Sequence, residues 1–170
     1  MAIAQGRAPA PPPALVRACA ARSGRTRVIT LDLESDATSA HRVRTATRQV
    51  LAHWGLLTVA GVADAMELAV TELVTNAVQH ACGPVQVRWH RRPDHVLVEV
   101  FDGSPVRPRP RPSAAGQEEA AEHGRGLALV DACTDAWGWS GSAAGEEPEL
   151  PGKHVWFVCL LDSERRSRAA

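Results

Sequence analysis

One predicted helix constrains this chain more than any other segment: residues 62–81 read VADAMELAVTELVTNAVQHA. Apolar residues recur at i, i+3, i+4 and i+7 along the whole segment, which indicates one buried face of an α-helix. At about 100° per residue, Asn76 and His80 fall inside the apolar arc and Glu72 falls at its edge. Burying an amide or an imidazole without a partner costs about 1–3 kcal/mol. We therefore expect something polar to lie opposite this helix.

The patterns around this helix predict an α/β two-layer sandwich of the α+β kind. Five segments read as strands because their apolar residues alternate or run together: 28–33, 85–90, 95–101, 136–140 and 153–161. Two further segments read as helices, about 36–54 and 127–133. The order β-α-α-β-β-α-β-β, with successive hairpins, favours a mostly antiparallel sheet covered on one face by helices.

Composition divides the 170-residue chain into a leader, one domain and a tail. Residues 1–27 are rich in Pro, Ala and Arg, which predicts a disordered leader, and residues 162–170 form a basic tail. The domain, 28–161, contains a long loop at about 103–123 that is either a functional lid or an inert Pro-rich insertion.

Charge and hydropathy exclude two classes of partner. The formal net charge is zero, which gives the chain no general attraction to nucleic acid or to an acidic membrane. No stretch approaches the roughly 18 apolar residues that span a bilayer. We therefore expect a cytoplasmic protein that does not bind nucleic acid directly.

Polar residues on the helix and after one strand could bind a ligand. The Asn76 carbonyl suits Mg²⁺, and Glu72 could accept a proton from a hydroxyl nucleophile. The alternative is a hydrogen-bonded polar cluster under a loop. In the segment Asp102-Gly103-Ser104, the carboxylate could accept a hydrogen bond from an adenine amino group, or the segment could form only a turn.

A glycine pair precedes the next predicted helix, in the segment Gly124-Arg125-Gly126. Backbone N–H groups at a helix start, together with the positive end of the helix dipole, favour phosphate binding. Arg125 could add a bidentate contact. Glycines are also common at loop–helix junctions, so this segment alone does not distinguish the two.

Together and in this order, these segments resemble the histidine-kinase-like ATPase (GHKL) superfamily. Within it the chain is similar to the small anti-sigma-factor regulatory kinases: ELVTNAVQHA, FDGSP and GRGLALVDAC match their helix, adenine and glycine motifs. The closing GKHVWF is similar to their last strand. The resemblance covers about residues 28–161. It implies a Bergerat-type ATP-binding fold with ATP and Mg²⁺ as cofactors.

The resemblance also implies a role for each matching residue. Glu72 would be the general base, Asn76 the Mg²⁺ ligand and His80 a supporting residue. Asp102 would hydrogen-bond the adenine, with Ser104 beside it. The glycine motif would border the triphosphate beneath the lid through Gly124, Arg125, Gly126 and Leu127.

Two positions depart from the pattern of the superfamily. Ser104 stands where the D-x-G-x-G motif has its first Gly, although the anti-sigma-like branch often has Ser there. His154 follows Gly-Lys, where many relatives have a Thr that helps the aspartate to bind adenine. The resemblance thus implies that His154 takes the place of that Thr.

The function implied is that of a protein serine/threonine kinase that regulates transcription through protein–protein binding. It would transfer the γ-phosphoryl group of ATP to an anti-sigma antagonist-like partner, and a sigma factor would be the other partner. The alternative is a nucleotide-gated binding module without significant kinase activity. The catalytic part of a histidine kinase is disfavoured, because the region before Val28 is too short for a phosphoacceptor helical hairpin. Small kinases of this type are commonly dimers, so we expect a homodimer.

Overall fold

The computed structural model describes residues 27–81, 83–108, 126–141 and 152–161. These residues form five strands and three helices in the expected order. The strands are β1 (Arg27–Leu33), β2 (Val85–Arg91), β3 (His95–Asp102), β4 (Ala136–Gly141) and β5 (Lys153–Leu160). The helices are α1 (Ser39–His53), α2 (Val62–His80) and α3 (Gly126–Cys133).

Several sequence-based assignments fall outside the described residues. They are the leader up to residue 26, the tail, most of the proposed lid, and the two residues Gly124 and Arg125. The bounds given above for the leader, the domain and the tail therefore stay a prediction.

The strands form a single sheet in the order β1-β2-β3-β5-β4. Every neighbouring pair is antiparallel. The helices pack on one face of this sheet, which confirms the α/β two-layer sandwich expected from the order of the elements.

Helix α2 occupies the centre of the helical layer, between α1 and α3. Its buried residues keep the helical spacing predicted for them: Val62, Met66, Ala69, Val70, Leu73, Val74 and Ala77. Fully burying a Val or Leu side chain contributes about 1.5–3 kcal/mol, so this face fixes α2 against the sheet.

Helix α1 begins later than the sequence predicted. The Asp36 carboxylate accepts hydrogen bonds from the Thr38 backbone N–H and hydroxyl, both at 2.7 Å. These bonds form a turn ahead of the helix, and regular α1 starts at Ser39.

The alternation of β3 decides which side chains reach the helices. Val96, Val98 and Val100 are buried on the helix-covered face. Because every second residue of a strand points to the same side, Asp102 lies on this face too. The residue opposite it on β5 is Lys153. A carboxylate and an ammonium group thus close the row of valines.

None of the described helices is long and apolar enough to cross a membrane.

Candidate functional site

The predicted site residues converge at one end of the sandwich. Strand β3 ends at Asp102, directly opposite the first residue of β5, Lys153. Helix α3 runs antiparallel to α2, because its last residue, Cys133, approaches the Ala65 carbonyl, with 3.7 Å between sulfur and oxygen. The first turn of α3 therefore lies against the second half of α2, at the same end as these strand ends.

Gly126, the first residue of α3, lies directly on the polar stripe of α2. A Cβ atom at this position would be 2.8 Å from Glu72 Oε2 and 3.1 Å from Asn76 Nδ2. Real Cβ atoms essentially never come within 3.0 Å of another heavy atom. A side chain at position 126 would therefore force the Glu72 carboxylate or the Asn76 amide to shift, whereas glycine lets the start of α3 lie against both.

Glu72 and Asn76 are half-buried at this junction. Among the described residues, neither side chain has a hydrogen-bond partner. Half-buried polar side chains without a partner in the described part of the chain are candidates for binding a ligand. The alternative of a capped or hydrogen-bonded polar cluster under a loop stays open, because most of that loop lies outside the described residues.

Asp102 and Ser104 form two successive turns at the end of β3. Asp102 Oδ1 accepts a hydrogen bond from the Ser104 backbone N–H at 2.9 Å. The Ser104 hydroxyl in turn accepts one from the Val106 backbone N–H at 3.3 Å. Side chains of Asp and Ser commonly stabilise turns in this way, which explains why this sequence leaves the strand here. Both residues are buried.

Sequence reasoning missed Lys153, whose side chain completes this corner. Its ammonium group donates to Asp102 Oδ1 at 2.8 Å and to the Ser104 carbonyl oxygen at 3.2 Å. Gly152 precedes it, and a Cβ there would overlap the Asp102 carbonyl oxygen. The Gly-Lys pair was the available signal, but only the strand register shows that Lys153 faces Asp102.

Two histidines lie elsewhere than the sequence predicted. His80 is exposed, so its expected place on the buried face is wrong. The buried face of α2 ends at Ala77, and the last turn of the helix contributes no buried residue. His154 is directly opposite Phe101, with ring centroids 5.0 Å apart. Because neighbouring strand residues point to opposite faces, His154 lies on the sheet face away from Asp102. Lys153, and not His154, occupies the position beside Asp102.

Leu127 follows Gly126 and is buried in the hydrophobic core. Its side chain thus packs between the layers. At this position, only the backbone of the first turn of α3 could therefore contact a phosphate.

Arg107 fixes the first described part of the proposed lid. Its guanidinium carbon lies 5.0 Å from the ring centroid of Trp139, on strand β4. A guanidinium over an indole at this distance is a cation–π contact. Trp139 is on the same sheet face as Asp102 and Lys153, because it pairs with Val155, two residues beyond Lys153. The contact therefore borders the Asp102 corner, which Asp102, Ser104 and Lys153 form.

The fold is an α/β sandwich, and the converging polar residues form a candidate ligand site between its helices and strand ends. A family model described as histidine kinase-like ATPase domain matches residues 33–157. This match covers most of the chain, and the chain therefore belongs to the histidine kinase-like ATPase domain family. Membership supports ATP binding and a kinase-like regulatory role.

One solved structure, titled "Mycobacterial sensor histidine kinase MprB", resembles the fold. It has 18% sequence identity and a TM-score of 0.43, and the likeness covers 76% of this chain and 97% of that one. A likeness of this degree carries no argument about function. A search among curated proteins found no match.

Proposed function

We propose that this chain is an ATP- and Mg²⁺-dependent protein kinase of the anti-sigma-factor type. It phosphorylates a serine or threonine of an antagonist-like partner protein and regulates transcription by binding that partner or a sigma factor. Its working form in this proposal is a cytoplasmic homodimer.

The observation that carries the proposal is the junction of Gly126 with Glu72 and Asn76. Glu72, a proton acceptor, and Asn76, whose amide carries a hard oxygen, both lie against Gly126 in the first turn of α3. Phosphoryl transfer is catalysed mainly by positioning and by stabilising charge, and these three groups supply both.

Each group has a defined part in holding the nucleotide. Asp102 Oδ2 has no hydrogen-bond partner among the described residues and would accept one from the adenine amino group. The positive end of the α3 dipole, with the backbone at Gly126, would favour the phosphates. Mg²⁺, when bound, neutralises charge on the phosphate oxygens.

The residues at this junction fit a magnesium ion that is shared with phosphate. Among the described residues, no group of three or more His, Cys, Asp or Glu side chains could hold a metal. Mg²⁺ usually keeps several waters and binds through one or two protein oxygens plus phosphates. Asn76 is suited to be such a protein ligand.

Glu72 is the proposed general base. Its carboxylate takes the proton of the partner's hydroxyl as the hydroxyl oxygen forms a bond to the γ-phosphorus. The bond between the γ-phosphorus and the oxygen that bridges it to the β-phosphate breaks, and ADP departs with those electrons. The proton remains on Glu72 until solvent removes it.

The test is transfer of radiolabelled γ-phosphate from ATP to a candidate antagonist partner, with ATP affinity measured in parallel. Glu72→Ala is expected to abolish transfer while ATP binding survives. The matched control is Glu67→Gln on the same helix, because Glu67 pairs with Arg48 at 3.3 Å instead of facing Gly126. This control should keep both activities.

Three other outcomes would overturn parts of the proposal. Loss of ATP binding in Glu72→Ala would give Glu72 a structural role. ATP binding by the wild type without transfer to any partner would favour the nucleotide-gated binding module. Label that is stable to alkali but lost in acid would place the phosphate on histidine rather than on serine or threonine.

A further inference from the structure

Lys153 is a charged side chain that the proposed reaction does not use. Both it and Asp102 are buried, with side-chain exposures of 9% and 3%. Taking two charges out of water costs several kcal/mol per ion, and a buried pair often contributes no more to stability than apolar residues of the same volume. Folding alone therefore gives a weak reason for an ammonium group here.

The hydrogen bonds of this pair leave one donor and one acceptor unused. A lysine ammonium group has three N–H donors, and Lys153 uses two of them, to Asp102 Oδ1 and to the Ser104 carbonyl. Both described bonds of the Asp102 carboxylate go to Oδ1. Among the described residues, Oδ2 and the third N–H have no partner. An acceptor on Asp102 and a donor on Lys153 thus lie side by side at the Asp102 corner.

We infer that Lys153 is a specificity-determining residue that donates a hydrogen bond to N1 of the adenine ring. Asp102 accepts from the 6-amino group, and Lys153 donates to the neighbouring ring nitrogen. This inference rests on the proposed ATP site. A guanine in the same orientation presents an acceptor to Asp102 and an N–H donor to Lys153, so both contacts are mismatched.

The position of His154 removes the neighbouring candidate for this contact. Its ring packs on Phe101, on the other face of the sheet. Lys153 also holds Asp102 by a charge-assisted bond, which fixes the orientation of the carboxylate. Asp102 and Lys153 therefore recognise the base together, because the lysine both positions the acceptor and supplies the donor.

The first test changes the ligand and leaves the full-length wild-type chain intact. Affinities are measured by equilibrium binding for ATP, for 1-deaza-ATP, which lacks the N1 acceptor, and for 7-deaza-ATP as the matched control. A hydrogen bond from a charged group contributes about 1.5–3 kcal/mol, so 1-deaza-ATP should bind at least about tenfold more weakly than ATP. The 7-deaza compound should bind within about threefold of ATP, because no contact to N7 is proposed.

The second test assigns that penalty to the lysine. In Lys153→Met, ATP and 1-deaza-ATP should bind equally, because the donor is gone from both complexes. A merely structural lysine would lower the melting temperature and ATP affinity but would leave the ratio of the two affinities unchanged. Because Lys153→Met leaves a buried carboxylate without its partner, Asp102→Asn/Lys153→Met is measured as well, and it too should show no difference between the ligands.

The outcomes separate this inference from the proposed function. Equal binding of ATP and 1-deaza-ATP to the wild type overturns the role of Lys153 and leaves the ATP site standing. A wild-type ratio that persists in either folded variant overturns it as well. Failure of the wild type to bind ATP at all overturns the proposed function itself.

Discussion

At the scale of single residues, Gly126 determines how close two functional elements come. Without a side chain at this position, the start of α3 reaches both Glu72 and Asn76. A larger residue would not break the helix, since alanine has a higher helix propensity than glycine by about 1 kcal/mol. What it would change is the position of the carboxylate beside it.

Gly126→Ala is expected to slow phosphoryl transfer by at least about tenfold, because small displacements of a catalytic group have large effects on rate. ATP affinity should fall less, and thermal stability should be nearly unchanged. The measurements are the transfer rate and the ATP dissociation constant. Gly141→Ala is the control, because a Cβ at Gly141 meets nothing within 4 Å. Equal transfer rates in Gly126→Ala and the wild type would contradict the importance of this contact.

A second residue-scale feature lies on the sheet face opposite the helices. The Glu99 carboxylate lies 2.7 Å from His90 Nε2. Burial raises the pKa of Glu99, but the hydrogen bond from His90 and the charges of His90, His154 and Arg88 outweigh it. The pKa therefore lies below its ordinary value of 4.5.

The sign of this shift predicts a loss of stability in acid. A carboxyl group whose pKa is lower in the folded state stabilises the fold above its unfolded pKa, and this contribution disappears as pH falls through the folded value. Glu99→Gln should cost about 1 kcal/mol near neutral pH, allowing for partial exposure of the pair. Urea unfolding should show the difference from wild type shrinking below about pH 4.5. A difference in the free energy of unfolding that stays constant down to low pH would contradict this account. In a His90→Gln background, the effect of Glu99→Gln should be small at every pH.

At the scale of elements, the pairing of β4 with β5 depends on one glycine. Gly138 is directly opposite Trp156, and a Cβ at Gly138 would overlap atoms of the indole ring. Trp156 therefore lies over the Gly138 backbone on the sheet face opposite the helices. This arrangement is known to stabilise glycines within sheets.

Gly138→Ala is expected to lower the free energy of unfolding by about 1–3 kcal/mol, since overpacking forces side chains out of their preferred rotamers. Chemical denaturation measures this directly. Gly141→Ala, in the same strand, should change stability by less than about 0.5 kcal/mol. Similar losses in the two variants would mean that the Trp156 contact is not the cause.

Local pattern predicted the elements well and the site in part. The spacing of apolar residues was sufficient for α2, whose end differed by one residue from the expected 81. Angular position around a helix does not show where packing ends along its axis, and this is why His80 was misplaced. Lys153 was missed for another reason: its role depends on pairing with a strand about fifty residues earlier, which a single sequence does not reveal.

At the scale of the whole molecule, one end of the sandwich carries the described site residues, and His80 is exposed there on the last turn of α2. The proposed base, the proposed metal ligand and the Asp102 corner come from helices and strands that the shared core holds in place. Sites built on such elements are more rigid than sites on loops. We therefore expect that nucleotide affinity depends on the metal ion and that nucleotide binding stabilises the entire fold.

ATP with Mg²⁺ should raise the melting temperature of the wild type, because a ligand at a hundredfold excess over Kd stabilises the folded state by about 2.7 kcal/mol. Chelating the metal with EDTA should remove much of this shift. In Asn76→Ala the affinities with and without Mg²⁺ should become similar, because the protein ligand of the metal is lost. Gln79→Ala, an exposed change on the same helix, should retain the difference. A metal effect that persists in Asn76→Ala would exclude Asn76 as the ligand.

The contact between Arg107 and Trp139 has a consequence for spectroscopy. The chain has five tryptophans and no tyrosine, so its near-ultraviolet emission comes from indoles alone. Among the described residues, the ring of Trp139 lies under a guanidinium at the border of the Asp102 corner. Any movement of Arg107 when a base enters changes the polarity around that ring and hence its emission wavelength. The protein thus carries an optical reporter beside its proposed ligand site, and Trp139→Phe identifies the signal.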